Sequence, residues 1–93
     1  MENKTTLDVK TSYKVAGYKN RWGVIDAHAG YVLLENETWG DETCYLVARQ
    51  DVTVALHEYT RKDGIKVVLP TITEIVCETY DDIDTALRDE GLI

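Results

Sequence analysis

Four side chains in this sequence are ordinary ligands for a soft metal: His28, Cys44, His57 and Cys77. A structural zinc site uses such a set, but it takes its ligands as close pairs along the chain, and no two of these four are close neighbours. Alternation adds a second objection. Cys44 keeps step with Leu46 and Ala48, so it should point inward. Cys77 keeps step with Thr73 and Ile75, opposite Glu74 and Glu78, and also reads as core. His57 falls out of step with Val52, Val54 and Leu56 and should point outward. The two thiols are thus expected to meet inside without His57. No metal site is assigned and no cofactor is expected; a zinc-stabilised small metalloprotein is the alternative. Asp26 and His28 place an acid and an imidazole two residues apart, but the only serine is Ser12, and no nucleophile stands in a triad-like setting. There is no phosphate loop, dinucleotide fingerprint or paired-histidine motif. The reading is therefore non-catalytic.

The carboxylates carry more information. Ten Lys and Arg against seventeen Asp and Glu leave a net charge of −7. In residues 74–93, Glu74, Glu78, Asp81, Asp82, Asp84, Asp89 and Glu90 face Arg88 alone, so seven anions against one cation leave −6. A second cluster, Glu35, Glu37, Asp41 and Glu42, surrounds Trp39 in a polar stretch. Charge that served only solubility would be spread more evenly. An acidic surface repels nucleic acid and anionic membranes, which are bound through Lys and Arg, and attracts a basic protein surface. Six Tyr, two Trp and no Phe suggest half-exposed rings at an interface, because a buried phenol needs a partner for its hydroxyl. Trp39 is the foremost anchor candidate and Trp22 reads as core. The candidate partner-binding residues are Glu35, Glu37, Trp39, Asp41, Glu42, Glu74, Glu78, Asp81, Asp82 and Asp84.

The elements that must position these residues are mostly short strands. Residues 11–18, 22–27, 31–36, 43–49, 52–59 and 65–69 read as strands separated by turn signals, with residues 27–30 closing a tight hairpin. Pro70 should interrupt any ladder. Residues 72–80 are rich in β-branched side chains and read as a further strand, on which Glu74 and Glu78 share a face. Asp81 or Asp82 can cap a helix over residues 82–90; Ile83, Ala86 and Leu87 give it an apolar stripe, and Gly91 suits a Schellman stop. The expected fold is α+β: an antiparallel meander of about five to six strands with this amphipathic helix packed on one face. Residues 1–10 read as a flexible N-terminus and residues 11–93 as a single domain.

No stretch is long and apolar enough for a membrane span, and the first ten residues lack the apolar run of a signal peptide. A cytoplasmic protein with reduced thiols is expected. Residues 18–26, 31–42 and 79–87 resemble small proteins carried by conjugative and phage elements of Gram-positive bacteria, among them domains associated with large polyvalent mobile-element proteins. In size and charge the chain is similar in kind to anti-CRISPR inhibitors, many of which occupy the nucleic-acid-binding surface of a CRISPR effector. That resemblance implies an inhibitor of a basic nucleic-acid-handling protein, a CRISPR effector nuclease being the implied partner. The alternative of the same origin is a mobile-element accessory domain without inhibitory activity.

Overall fold

A computed structural model describes residues 2–37 and 44–93, and the side chains of these except at positions 2, 3, 57 and 69. The elements run β1 (Glu2–Thr6), β2 (Ser12–Val15), β3 (Arg21–His28), β4 (Tyr31–Asn36), β5 (Tyr45–Arg49), β6 (Asp51–Thr60), β7 (Lys66–Ile72), β8 (Cys77–Thr79) and α1 (Ile83–Asp89). The α+β class holds, but the sheet has eight strands among the described residues, in the order β1-β6-β7-β2-β3-β4-β5-β8. It is also mixed, not a pure antiparallel meander, because β2 runs parallel to β7 through Lys14↔Thr71 and Val15↔Ile72.

Connectivity forces this sheet to curl. Only Gln50 separates β5 from β6, yet these strands are seventh and second in the order. The link is held on both sides: Gln50 N–H donates to the Gly30 carbonyl at 2.8 Å, and Leu7 N–H donates to the Gln50 carbonyl at 2.8 Å. Curling gives the sheet an interior face, filled by Leu7, Tyr13, Val15, Trp22, Val24, Val32, Leu34, Leu46, Ala48, Val52, Val54 and Ile72. Trp22 is core, as its strand position suggests, and meets Tyr18 edge-on with ring centroids 5.1 Å apart. Leu7 is fully buried and β1 pairs along β6 from Thr6↔Asp51 to Glu2↔Ala55, so five of the first ten residues form a strand.

The helix does not cover that interior. Ile83, Ala86 and Leu87 pack on the outer face, against Leu33 and Val47. The central strands β4 and β5 are therefore buried on both sides, which explains the unbroken apolar runs Val32-Leu33-Leu34 and Leu46-Val47-Ala48. Asp82 caps the helix, its Oδ1 accepting from Thr85 N–H at 2.8 Å. Gly91, at φ 72°, closes it as a Schellman motif: Leu92 N–H donates to the Leu87 carbonyl at 2.8 Å and Gly91 N–H to the Arg88 carbonyl at 3.0 Å. Ala29 and Gly30 both take positive φ in the two-residue β3–β4 turn, the geometry that matches strand twist. Ile25 is the extra residue of a bulge between Val24 and Asp26.

Three local expectations are corrected. Pro70 lies within β7, paired with Leu56. It is tolerated because β2 reaches β7 only at Thr71 and Ile72, leaving one side of the strand open at Pro70, where a missing N–H loses no ladder bond. Residues 72–80 are not one strand. Ile72 ends β7, residues 73–76 cross over, and β8 pairs with β5 at the other end of the strand order. The crossing is pinned by Ile75, half-buried against the interior cluster, and by Val76 N–H donating to the Val47 carbonyl at 2.7 Å. As a result Glu74 lies in the crossing and Glu78 in β8, and they share no strand face.

Candidate partner-binding face

The β5–β8 register sets the chemistry of this edge. Leu46 pairs with Glu78 and Val47 with Cys77. Because neighbours on a strand alternate, Glu78 points to the Leu46 side and Cys77 to the helix side. Cys77 accordingly packs beneath α1, while Cys44 keeps step with Leu46 and lines a cavity with Tyr18, Trp22 and Asn36. The thiols lie on opposite faces and do not meet, contrary to the sequence expectation. Burial raises the pKa of both; Glu78 adds to the effect at Cys44 and Glu90 at Cys77. No three His, Cys, Asp or Glu groups converge on a metal position among the described residues.

Glu78 anchors the edge to the far side of the curl. Its carboxylate accepts from the Tyr18 hydroxyl at 2.9 Å, sixty positions away in sequence. That bond, together with burial and the carboxylate's charge, raises the Tyr18 pKa. Glu78 therefore helps close the sheet as well as adding charge. Asp82 is occupied by the helix cap, which lowers its pKa through the bond from Thr85 N–H. Asp84 is held by Arg88 Nε at 3.0 Å and stands 3.4 Å from His28 Nε2. His28 thus turns to the helix, while the Asp26 carboxylate accepts from Ala27 N–H at 2.8 Å; the structure does not join Asp26 and His28 as a dyad.

What remains is a cleft between β8 and α1 of about 250 Å³, whose lining includes Glu78, Tyr80, Asp81, Asp89 and Glu90 together with Cys77, Thr79 and Ala86. Of its four acidic residues, Glu78 turns its carboxylate away to Tyr18, which leaves Asp81, Asp89 and Glu90, and no Lys or Arg among the described residues lines it. Asp81, Asp89 and Glu90 form no ion pair among the described residues, and Tyr80 is 82% exposed beside them. Sequence reasoning singled out Glu78 and Asp81 here but passed over Tyr80, Asp89 and Glu90. The signal was present, since Tyr80 sits between Glu78 and Asp81. Only the helix, folding back on the outer face, brings residues 89 and 90 to residues 78–81.

The satellite cluster is not part of this cleft. Glu37 turns toward β2, its carboxylate accepting from the Ser12 hydroxyl, and with Glu35 it lines a separate depression containing Lys10 and Ile25. Glu74, in the crossing, is exposed. Trp39, Asp41 and Glu42 lie outside the described residues, as does the side chain of His57. No helix among the described residues is long and apolar enough to cross a membrane. No protein-family model matches the chain, and the comparisons with curated proteins and with solved structures find no match.

Proposed function

We propose that this chain is a non-catalytic acidic module that binds a basic, nucleic-acid-handling protein through the β8–α1 cleft and so competes with nucleic acid for that surface. The observation that carries the reading is the cleft itself: the acidic side chains of Asp81, Asp89 and Glu90, no cation among its described lining residues, and an exposed tyrosine on one edge. Carboxylates placed by the bend after β8 and by the end of the helix present an array of anions without the flexibility of a tail, and phosphate-binding Lys and Arg side chains can pair with such an array in place of a backbone. Tyr80 supplies the amphipathic ring that anchors interfaces. The resemblance to small mobile-element proteins makes a CRISPR effector nuclease the first partner to try.

The test is competition. A labelled nucleic acid bound to the candidate nuclease should be displaced by the protein in low salt and retained in high salt, because the contact is electrostatic. The triple variant D81K/D89K/E90K should lose displacement while keeping its fold. Displacement that survives this variant, or that is indifferent to salt, defeats the proposed surface. A protein that binds the nuclease and leaves its nucleic acid in place would be an accessory domain instead.

A further inference from the structure

Charge on this molecule is segregated more sharply than the acidic cleft alone indicates. Beyond Ala55 the β6–β7 ribbon leaves the rest of the sheet, because β1 reaches β6 only to Ala55 and β2 reaches β7 only at Thr71 and Ile72. Between the base of this ribbon and the segment after β2 lies a groove of about 590 Å³, walled by Lys14, Tyr18, Lys19, Tyr59 and Thr71. Tyr59 also borders a second depression that continues to Arg61, Lys62 and Asp63 at the tip. The combined strip carries four cations against one carboxylate, in a chain that has ten against seventeen.

Two of those cations are engaged. Lys14 Nζ donates to the carbonyls of Tyr18 at 2.7 Å and Lys19 at 2.9 Å, and so holds the turn after β2 in place. Arg61 pairs with Asp63 at 3.2 Å. Lys19 and Lys62 form no ion pair among the described residues and stand on either side of Tyr59 along the strip. Tyr59 is 47% exposed, on a ribbon that also exposes Ile65 and Val68. An apolar trough with ammonium groups along its length fits a partner that alternates apolar and anionic groups.

We infer that this strip is a docking groove for an acidic peptide segment of a partner protein, with an apolar side chain seated between Tyr18 and Tyr59 and carboxylates on Lys19 and Lys62. Charge complementarity selects that occupant. Two unengaged ammonium groups match the few carboxylates of a short peptide. A nucleic-acid strand offers one phosphate per nucleotide and would meet the repulsion of a body that carries nearly all the chain's carboxylates. The inference does not rest on the acidic cleft: no described residue lines both, although Tyr18 of the groove donates its hydroxyl to Glu78 of β8.

The experiment is a display library of random short peptides panned against the full chain, with binding of enriched peptides measured by fluorescence anisotropy. Enriched sequences should place Asp or Glu beside Leu, Phe or Trp. K19E/K62E should weaken them roughly tenfold, since two exposed attractions become repulsions. Y59A should weaken them as well, while D81K/D89K should leave them bound. Circular dichroism of each variant shows that the fold is retained. The inference is overturned by no enrichment, by enrichment of basic sequences, or by binding that K19E/K62E leaves unchanged. It is also overturned if a labelled oligothymidylate binds the strip in place of the peptides. Loss on D81K/D89K alone would move the peptide site to the acidic cleft, whereas failure of the nuclease competition leaves this result untouched.

Discussion

Truncating Leu87 to alanine should release the acidic cleft without altering a single charge. Leu87 is fully buried between α1 and the outer sheet face, among Leu33, Val47, Ile83 and Ala86. The change deletes the equivalent of about three methylene groups, worth about 2.4 kcal/mol in transfer free energy at roughly 0.8 kcal/mol each. A residual cavity adds to this, but a seven-residue helix on an outer face can settle inward, so the total should fall near 2.5–3.5 kcal/mol, within the ~2–5 kcal/mol seen for buried Leu→Ala changes. A helix this short has little stability in isolation, so most of the loss should appear as detachment of α1 and not as collapse of the curled sheet. Native-state hydrogen exchange distinguishes the two. The amides of Ala86, Glu90 and Leu92, which donate to Asp82, Ala86 and Leu87, should lose protection roughly a hundredfold. The amide of Val24, bonded to Thr11 within the sheet, should change far less. Urea denaturation gives the total. A cost below about 1 kcal/mol, or equal loss of protection at Val24 and Ala86, would refute the description of the helix as a separately docked outer layer.

Four further outcomes follow from particular residues. Y18F removes the hydroxyl that Glu78 accepts and should cost about 0.5–1 kcal/mol by urea denaturation at neutral pH. Because the folded Tyr18 pKa is raised above its ordinary value of 10.0, its contribution is fully present below that value and is lost as pH rises through the folded pKa. The difference between the wild-type chain and Y18F should therefore shrink in strong alkali, and a gap that widened there would contradict the assignment. D82A should loosen the first turn of α1, read as faster exchange at Thr85. The folded Asp82 pKa is lowered from 3.8, so the effect should be present above that value and fade as pH falls through the folded pKa. Finally, with Cys44 and Cys77 on opposite faces and both thiols held protonated by burial, alkylation at neutral pH should be slower at each than for an unfolded control. Protein purified without a metal-affinity tag should carry far less than one zinc per chain by elemental analysis, and stoichiometric zinc would revive the metalloprotein alternative.

Local chemistry was readable from the residues alone. The Asp82 cap, the stripe of Ile83, Ala86 and Leu87 and the Gly91 stop depend on contacts within a few positions, so the helix and its boundaries were legible. The β3–β4 hairpin was legible for the same reason, since Ala29-Gly30 is a two-residue turn. The concentration of carboxylates in residues 74–93 was a matter of counting. Alternation also placed Cys44 in step with Leu46, correctly, and Cys77 opposite Glu78, correctly. It could not say that both faces of β5 are buried, and so it sent both thiols to one core. Once Leu46 and Val47 are both covered, an inward position has two meanings, and only the helix on the outer face tells them apart.

The rest depended on where the chain returns to itself. A strand carries no mark of which distant strand will pair with it, because the ladder bonds are made by the backbone and are the same for any partner. The parallel β2–β7 contact, the tolerance of Pro70 and the break of residues 72–80 all follow from that unmarked choice. The acidic cleft shows the division most plainly. Sequence by itself determined that this end of the chain is anionic and ends in a capped helix. Tertiary structure alone decided that Asp89 and Glu90 come back beside Tyr80 and Asp81, because burial of Leu87 against Leu33 and Val47 fixes which way the helix lies.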